Sequence, residues 1–329
     1  MRLGTLFLTA SLFAAPTAAL ASSFTGIVAF GDSLSDAGNV SLGTAGTLPG
    51  PGYATRTLPG VPFSVGYYTN PQSGTGPAGL WIDQLAGKLG LPDPTPFLAP
   101  GGGTNYAIGS SFTAGFNGAA PGMDAQVGDF LTSVSNHAPS TALYTFWGGA
   151  NDIFNGHNPI TAADNIEQEI LAVAAAGGKY FLWLNLPPLG DTPALNGNPA
   201  LSGPADLASL AFDSEWASDL SALTALGINV TGVNVDALIN TVTAHPSTYG
   251  LTNTTSACDT TPGCNPNTAL YWDTEHPTTQ ADSLIANLAA TDLAATPEPP
   301  SVALLALGLL SLLTLPLSRR NRRATQPLP

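Results

Sequence analysis

The amino-acid sequence predicts an α/β protein with a central parallel sheet flanked by helices. Short apolar runs, typical of strands buried on both faces, alternate along the chain with segments whose apolar residues recur at helical spacing. Polar motifs directly follow several of these runs, and the loops after the carboxyl ends of parallel strands are where α/β proteins carry functional residues. A hydrophobic content of 44% is enough for a buried core, which excludes a disordered chain.

Four strands are predicted from the apolar runs, at Gly26–Phe30, Ala142–Trp147, Tyr180–Leu184 and Ile228–Val235. Helices are predicted over Leu80–Leu89, from Thr161 as the N-cap to about Ala176, over Pro204–Leu226 and over Thr278–Leu293. The third of these helices is expected to have an apolar side formed by Leu207, Leu210, Ala211, Trp216, Leu220 and Leu223. The stretch Gly43–Gly79 is rich in Gly, Pro and Thr, and we expect it to be a long surface excursion.

The charge of the chain is sparse and unevenly distributed. Only 9% of the residues are charged, against roughly 25% in an ordinary soluble domain, and five of the eight bases lie near the two ends. Residues 22–296 contain 21 acidic and three basic residues, a net charge of −18. Such a surface would repel a phosphate backbone, so nucleic acid is excluded as a partner.

Residues 1–21 are predicted to be a secretory signal peptide. Arg2 supplies a positive start, Leu3–Ala15 supplies an apolar stretch, and Ala19-Leu20-Ala21 fits the small-x-small rule for cleavage. The alternative is a first core helix. A signal peptide predicts that the protein is exported.

The opposite end, residues 297–329, resembles the PEP-CTERM sorting signal of Gram-negative bacteria. Pro297-Glu298-Pro299 matches the motif, an apolar run follows over Ser301–Ser318, and the chain then becomes Arg-rich. The resemblance implies an exosortase-type sorting enzyme as a partner, transient anchoring through the C-terminal helix, and release to the cell envelope or the exterior. A run of about 18 apolar residues can just span a bilayer, so a plain membrane anchor is the alternative.

Residues 22–296 are expected to form a single domain between these two ends. Cys258 and Cys264 are the only cysteines, and in an oxidising compartment they are expected to form a local disulfide. No further ligands lie near them with suitable spacing, so no metal site is predicted.

The first strand is followed by a serine that could act as a nucleophile. Ser33 stands in Gly31-Asp32-Ser33-Leu34, on a tight turn that would expose its hydroxyl. A serine at this place attacks a substrate only if a base removes its proton, and otherwise it caps the next helix. Gly109, in Asn105-Tyr106-Ala107-Ile108-Gly109-Ser110, could present a backbone N–H without an obstructing Cβ, or could form an ordinary turn.

Two further motifs could complete such a site. Asn151 follows Trp147-Gly148-Gly149-Ala150 directly after a strand, and its amide could stabilise an oxyanion or serve an ordinary turn. Asp273 and His276 are three residues apart, so the carboxylate could orient the imidazole, or the two could form a salt bridge at a helix start. Of the four histidines, only His276 has an aspartate at this spacing.

Together the four motifs resemble the GDSL, or SGNH, family of serine hydrolases, from about Phe24 to Leu293. The resemblance implies a three-layer, flavodoxin-like fold without a cofactor. It implies Ser33 as nucleophile, His276 as general base and Asp273 as its orienter. The implied oxyanion hole consists of the Ser33 and Gly109 N–H groups and the Asn151 side chain. One departure is Ser110, which stands where many members have a second Gly.

The predicted function is that of an exported carboxylic ester hydrolase of the lipase/esterase branch. Lipid esters, short acyl esters and acetylated glycans are the candidate substrates, and a deacetylase of extracellular polysaccharide is the alternative activity. A non-catalytic envelope or biofilm protein on the same scaffold is a further alternative. Pro62, Phe63, Tyr67 and Tyr68 of the excursion could contact an acyl chain or cover the core.

Overall fold

The computed structural model describes residues 24–295. The chain divides into two units after Leu293, and of the second unit only Ala294 and Ala295 are described. The predicted signal peptide (1–21) and the predicted sorting signal (297–329) lie outside the described residues. Within 24–295, no helix combines the length and the apolar composition needed to cross a membrane.

The centre of the fold is a parallel sheet of four strands, β1 (Gly26–Gly31), β6 (Ala142–Trp147), β7 (Tyr180–Leu184) and β8 (Asn229–Val233), in this spatial order. The register pairs Gly31 with Trp147, so the ends of the first two strands lie side by side. An extended segment around Asn105 runs parallel along the free side of β1, with the Tyr106 N–H donating to the Ala29 carbonyl oxygen at 2.8 Å. The parallel sheet is thereby confirmed, and its strand ends meet at one edge.

Eight helices connect and cover the strands within the described part of the chain. They are α1 (Asn39–Gly43), α2 (Trp81–Leu89), α3 (Met123–Ser133), α4 (Ala150–Phe154), α5 (Pro159–Ala175), α6 (Pro199–Ala225), α7 (Val235–Ala244) and α8 (Thr279–Ala295). Two short antiparallel hairpins lie outside the main sheet, β2–β3 (Ala54–Arg56 and Val65–Tyr67) and β4–β5 (Phe116–Asn117 and Ala120–Pro121).

The core lies in two layers, one on each face of the sheet. Ile27 and Ala29 of β1 face one layer with α2, α7 and α8, whereas Val28 and Phe30 face the other layer with α3, α5 and α6. This alternation follows from the two-residue period of a strand, and both faces are apolar because helices cover both. The three-layer architecture predicted from the sequence is confirmed.

Two of the predicted helices begin elsewhere. In α5, Asn158 rather than Thr161 is the N-cap: its side-chain oxygen accepts hydrogen bonds from the N–H groups of Ile160 and Thr161. Asn158 precedes Pro159 at the first helical position, a combination that favours a helix start. Helix α6 begins at Pro199, five residues before the predicted start, and Pro204 lies inside it.

The buried side of α6 also differs from the prediction. Leu207 and Leu210 are 69% and 55% exposed, while Phe212, Trp216 and Leu223 are buried against the sheet. The buried side also includes Ser209 and Asp219, so the apolar residues of this helix do not lie on one side of it. The predicted apolar side is therefore correct at Trp216 and Leu223 and wrong at Leu207 and Leu210.

The excursion Gly43–Gly79 contains the hairpin β2–β3, which is attached to the body by Arg56. Its guanidinium forms an ion pair with Asp83 of α2 at 2.6 Å and lies 4.5 Å from the centre of the Tyr67 ring. Tyr67 is buried, so at this position the excursion covers the core. In the C-terminal part of the structure, Cys258 and Cys264 form a disulfide across a separation of six residues.

Candidate active site

The turn after β1 presents Ser33 at the edge of the sheet. Gly31 has φ +155°, and a Cβ there would collide with the Trp147 carbonyl oxygen of the neighbouring strand. The Asp32 side chain accepts a hydrogen bond from the Leu34 N–H at 3.0 Å, and its backbone oxygen accepts from Ser35 and Asp36. These bonds fix a tight turn in which Ser33 remains partly exposed.

Ser33, His276 and Asp273 form a continuous chain of hydrogen bonds. The Ser33 Oγ lies 2.7 Å from His276 Nε2, and His276 Nδ1 lies 2.7 Å from Asp273 Oδ2. The Asp273 Oδ1 accepts from the N–H groups of Glu275 and His276 at 2.8 and 2.7 Å, which closes the turn. The structure therefore brings together the three side chains of the predicted triad.

The electrostatics keep this carboxylate ionised and the imidazole basic. Burial would raise the pKa of Asp273, but the hydrogen bond and the charge of His276, together with the Tyr53 hydroxyl, hold this pKa below its usual range. Burial would lower the pKa of His276, but the hydrogen bond and the charge of Asp273 outweigh it, so the pKa lies above its usual value. A basic imidazole within reach of a serine hydroxyl can remove its proton.

Two tyrosines of the excursion contact the same three side chains. The Tyr53 hydroxyl donates to Asp273 Oδ2 at 2.6 Å, and the Tyr68 ring stacks on the His276 ring with 4.9 Å between centroids. The role of Tyr53 could not be predicted from the sequence, since this residue belongs to no motif and lies 220 residues from Asp273. Tyr68 was identified only as an acyl-chain contact or a core cover.

Asn151 lies in the first turn of α4 and faces the Ser33 turn. Its Nδ2 donates to the Ser111 carbonyl oxygen at 3.1 Å and, more weakly, to Asp32 Oδ2 at 3.4 Å. The neighbouring Asp152 anchors the helix, because its carboxylate accepts from the N–H and the hydroxyl of Thr113. One amide hydrogen of Asn151 is thus bound to the Ser111 carbonyl oxygen, and the other points towards the Asp32 carboxylate in the Ser33 turn.

Asp32 is buried beside this amide. Burial raises its pKa to about 7, although the Leu34 N–H and the charge of His276 act in the opposite direction. The Asp32 carboxyl group therefore titrates near neutral pH, whereas Asp273 is ionised there.

Gly109 requires a correction. Its N–H donates to Asp36 Oδ2 at 2.9 Å, so this donor is occupied and does not serve an oxyanion hole as predicted. The glycine is needed here because a Cβ would approach the Tyr68 ring to within 2.8 Å. The next residue, Ser110, is exposed and has φ +67°, which turns the chain away after Gly109. Among the described residues, no hydrogen bond engages the Ser110 N–H.

A mostly apolar cleft opens beside Ser33 and His276 and contains about 660 Å³ of space, including its opening to solvent. Asp32, Asn151 and Glu275 are among its polar lining residues. Its apolar lining includes Leu34, Phe154, Leu189, Ile239, Leu270 and Ile285. An apolar cleft next to a serine suits the hydrocarbon part of a ligand.

Within residues 24–295, one group of side chains could hold a metal ion. Ligand atoms of Asp164, Glu215 and Asp219 lie within 4.8 Å of one another on α5 and α6. None of these residues lines the cleft at Ser33.

The three-layer fold and the linked serine, histidine and carboxylate at the edge of its sheet are an arrangement that α/β serine hydrolases use. The sequence model of the GDSL-like lipase/acylhydrolase family matches residues 27–289. The chain belongs to this family.

Curated relatives resemble most of this chain. An uncharacterised protein of the trpE-trpG intergenic region of Pseudomonas putida is 31% identical over 86% of the chain, and esterase EstA of Pseudomonas aeruginosa is 30% identical over 85%. The thermolabile hemolysin of Vibrio parahaemolyticus is 24% identical over 79%. The chain spans 50%, 48% and 62% of these proteins, respectively.

Solved structures show lower similarity. Est24, a carbohydrate acetylesterase from Sinorhizobium meliloti, is 14% identical, with a TM-score of 0.43 and coverage of 82% of this chain and 99% of that one. The aryl esterase of M. smegmatis is 13% identical, with a TM-score of 0.44 and coverage of 83% and 100%.

Proposed function

We propose that the protein is an exported serine esterase that hydrolyses carboxylic esters through Ser33, His276 and Asp273. The observation that carries this proposal is the hydrogen-bonded chain from the Ser33 hydroxyl through His276 to Asp273, with 2.7 Å at each of its two links. Membership of the lipase/acylhydrolase family supports the reaction class. The similarity to esterase EstA points to the same activity.

In the proposed reaction, the Ser33 Oγ attacks the ester carbonyl carbon while His276 Nε2 takes the serine proton. The tetrahedral intermediate collapses as His276 gives this proton to the leaving alcohol oxygen, which leaves an acyl group on Ser33. His276 then activates a water molecule that releases the carboxylic acid and restores the serine. Asp273 holds the imidazole through Nδ1 and stabilises its positive charge.

The proposed oxyanion hole consists of the Ser33 N–H, the Asn151 side chain and the Ser110 N–H. The Ser110 amide replaces that of Gly109 because the latter donates to Asp36. Gly109 packs against the Tyr68 ring, which stacks on His276, and the Ser110 N–H follows Gly109 directly in the chain.

For the substrate, we propose acyl esters whose chain is longer than acetyl, such as lipid or short-to-medium acyl esters. The cleft beside Ser33 is lined mainly by apolar side chains, and burying each CH₂ group contributes about 0.8 kcal/mol. Acetylated polysaccharide would leave most of this apolar surface unused. We therefore expect little deacetylation of a glycan.

Export from a Gram-negative cell is also proposed, with residues 22–296 as the catalytic domain. The signal peptide predicted at 1–21 and the sorting signal predicted at 297–329 support it, as does the Cys258–Cys264 disulfide, which is usual in oxidising compartments. An exosortase-type enzyme is the proposed partner for sorting, with transient membrane anchoring through the C-terminal helix.

The function is tested by measuring hydrolysis of p-nitrophenyl esters from acetyl to palmitoyl and acetate release from acetylated xylan. We expect kcat/KM to rise with chain length beyond acetyl, and Ser33→Ala to abolish activity. A phosphonate probe should label the wild-type protein once, at Ser33. Full esterase activity in Ser33→Ala would contradict the mechanism, and acetate release alone would contradict the substrate class. A folded protein without labelling or hydrolysis would indicate a non-catalytic role.

A further inference from the structure

The hairpin β2–β3 places a tyrosine hydroxyl on the carboxylate of the triad. Tyr53 directly precedes β2 and Tyr68 directly follows β3, and the pairing of Ala54 with Tyr67 makes them the next cross-strand positions. Their rings pack edge to face with 6.0 Å between centroids. One end of this hairpin therefore contacts both Asp273 and His276, through Tyr53 and Tyr68 respectively.

The Tyr53 hydrogen bond differs in origin from the others made by Asp273. Oδ1 accepts from the Glu275 and His276 N–H groups, and Oδ2 accepts from His276 Nδ1, so these three donors belong to the same turn as the acceptor. Tyr53, at 2.6 Å from Oδ2, is the only donor from another part of the described chain. It thereby ties the Asp273 carboxylate itself to the hairpin β2–β3.

The Tyr53 hydroxyl remains a donor throughout the working pH range. Burial, and then the hydrogen bond and charge of Asp273, raise the pKa of this phenol above its usual value. The pKa of Asp273 is instead lowered, so this carboxylate stays ionised. A neutral phenol on an ionised carboxylate makes a charge-assisted hydrogen bond, which is shorter and stronger than a neutral one.

From this geometry we infer that Tyr53 is a positioning residue of the esterase: its hydroxyl holds Asp273 so that the carboxylate aligns His276 with Ser33. This inference rests on the proposed function. A second effect follows from the shared oxygen, because Tyr53 and His276 Nδ1 both donate to Oδ2. Removing the Tyr53 hydroxyl takes away one of these two donors, so the carboxylate interacts more strongly with the imidazolium. The pKa of His276 then rises.

The test is Tyr53→Phe, which keeps the ring and removes the hydroxyl. We expect kcat for p-nitrophenyl butyrate to fall about tenfold, which is the usual effect of losing a hydrogen bond to a charged group, while KM changes less than twofold. The acidic limb of the pH profile of kcat/KM should move to higher pH, since His276 must be neutral to act as a base.

A matched control is Tyr144→Phe, which removes a tyrosine hydroxyl bonded to the Pro139 carbonyl oxygen at 2.8 Å, away from the triad. It should lower the melting temperature while kcat and the pH profile stay at wild-type values. Tyr53 acts through Asp273, so Tyr53→Phe should have little further effect on the rate of phosphonate labelling in an Asp273→Asn background.

Wild-type kcat and an unmoved acidic limb in Tyr53→Phe would overturn the inference, as would a change in KM alone, which would make Tyr53 a wall of the substrate cleft. Additive effects with Asp273→Asn would also overturn it. The proposed function fails by a different result, namely esterase activity or phosphonate labelling that survives in Ser33→Ala.

Discussion

At the scale of single residues, the two amide hydrogens of Asn151 have different partners. One hydrogen is given to the Ser111 carbonyl oxygen at 3.1 Å, which sets the orientation of the side chain. The other points to Asp32 Oδ2 at 3.4 Å, a long bond that a developing oxyanion can replace. This geometry suits the proposed role of Asn151 as a donor to charge that appears only during the reaction.

Asn151→Ala is expected to lower kcat by about 10²–10³-fold, the usual effect of removing one oxyanion donor, with KM nearly unchanged. The substitution leaves the backbone of α4 intact, so the melting temperature should stay close to that of the wild type. Steady-state kinetics and a thermal melt check both parts. A tenfold or greater rise in KM with constant kcat would instead assign Asn151 to substrate binding.

Asp273 and Glu275 are rival partners for His276, and the structure distinguishes them. The Asp273 carboxylate contacts His276 Nδ1 at 2.7 Å, whereas Glu275 gives only its N–H to Asp273 and lines the cleft. Asp273→Asn should lower kcat by about 10⁴-fold, as in other serine triads. Glu275→Gln should retain kcat within a few-fold. Steady-state kinetics of the two purified variants decide which carboxylate orients His276. Equal losses of kcat would contradict the assignment to Asp273.

The residues of the triad could be found from the sequence because each stands in a short motif. The hydrogen bonds that support them could not. Tyr53 reaches Asp273 across 220 residues, and the Gly109 N–H is taken by a carboxylate 73 residues away. Contacts between segments so distant in sequence depend on tertiary packing, for which a local sequence pattern gives no signal.

At the scale of elements, α5 carries a buried carboxyl group without a partner. Glu169 is 5% exposed, and neither of its oxygens has a hydrogen-bond partner among the described residues. Burial, reinforced by the charges of Asp124 and Asp152, raises its pKa well above the usual value. Ionising this group at alkaline pH costs stability because the charge is buried.

Glu169→Gln is therefore expected to increase the free energy of unfolding at pH 8 by about 1–2 kcal/mol and to leave it nearly unchanged near pH 4, where this carboxyl group is mostly protonated in the unfolded chain as well. Urea denaturation at the two pH values measures this. Asp129→Asn, on the exposed side of α3, removes a charge without burial and should change stability by less than about 0.5 kcal/mol at either pH. Destabilisation by Glu169→Gln at pH 8 would refute the assignment.

The strands of the main sheet were predictable, because a short run of apolar residues bounded by turn residues is typical of a strand buried on both faces. Strands β6 and β7 have the predicted bounds, and β1 extends one residue further. Helices α3 and α7 were missed, although Met123, Val127 and Phe130 of α3 have helical spacing. The hairpin β2–β3 has three-residue strands within a Gly- and Pro-rich stretch, too short for a period to be recognised.

At the scale of the whole molecule, several buried acids prefer to be protonated. Burial raises the pKa of Asp32, Asp213 and Asp219 to about 7, and that of Glu169 is raised as well. In the unfolded chain these groups titrate near 4. The folded state therefore binds more protons than the unfolded state between about pH 4 and 8.

The protein should accordingly become more stable as the pH is lowered from about 8 to about 5, with a rise in melting temperature of about 5 °C. His276 acts in the same direction, since its raised pKa gives a contribution that is complete below its unfolded value and is lost above the folded one. Asp273 has a lowered pKa, so its contribution is lost only at far lower pH. Thermal melts across this range test the sign, and a constant or falling melting temperature would contradict it.

The hydrogen bond between Ser33 and His276 joins residues that are 243 positions apart, almost the whole length of the described chain. A ribosome or a translocation channel that delivers the chain from its N-terminus releases the nucleophile first and the base nearly last. Until His276 has emerged and folded against the sheet, Ser33 lacks the hydrogen bond to the base that the proposed mechanism requires. Under the proposed function, esterase activity therefore begins only after nearly all of the described chain has been synthesised and folded.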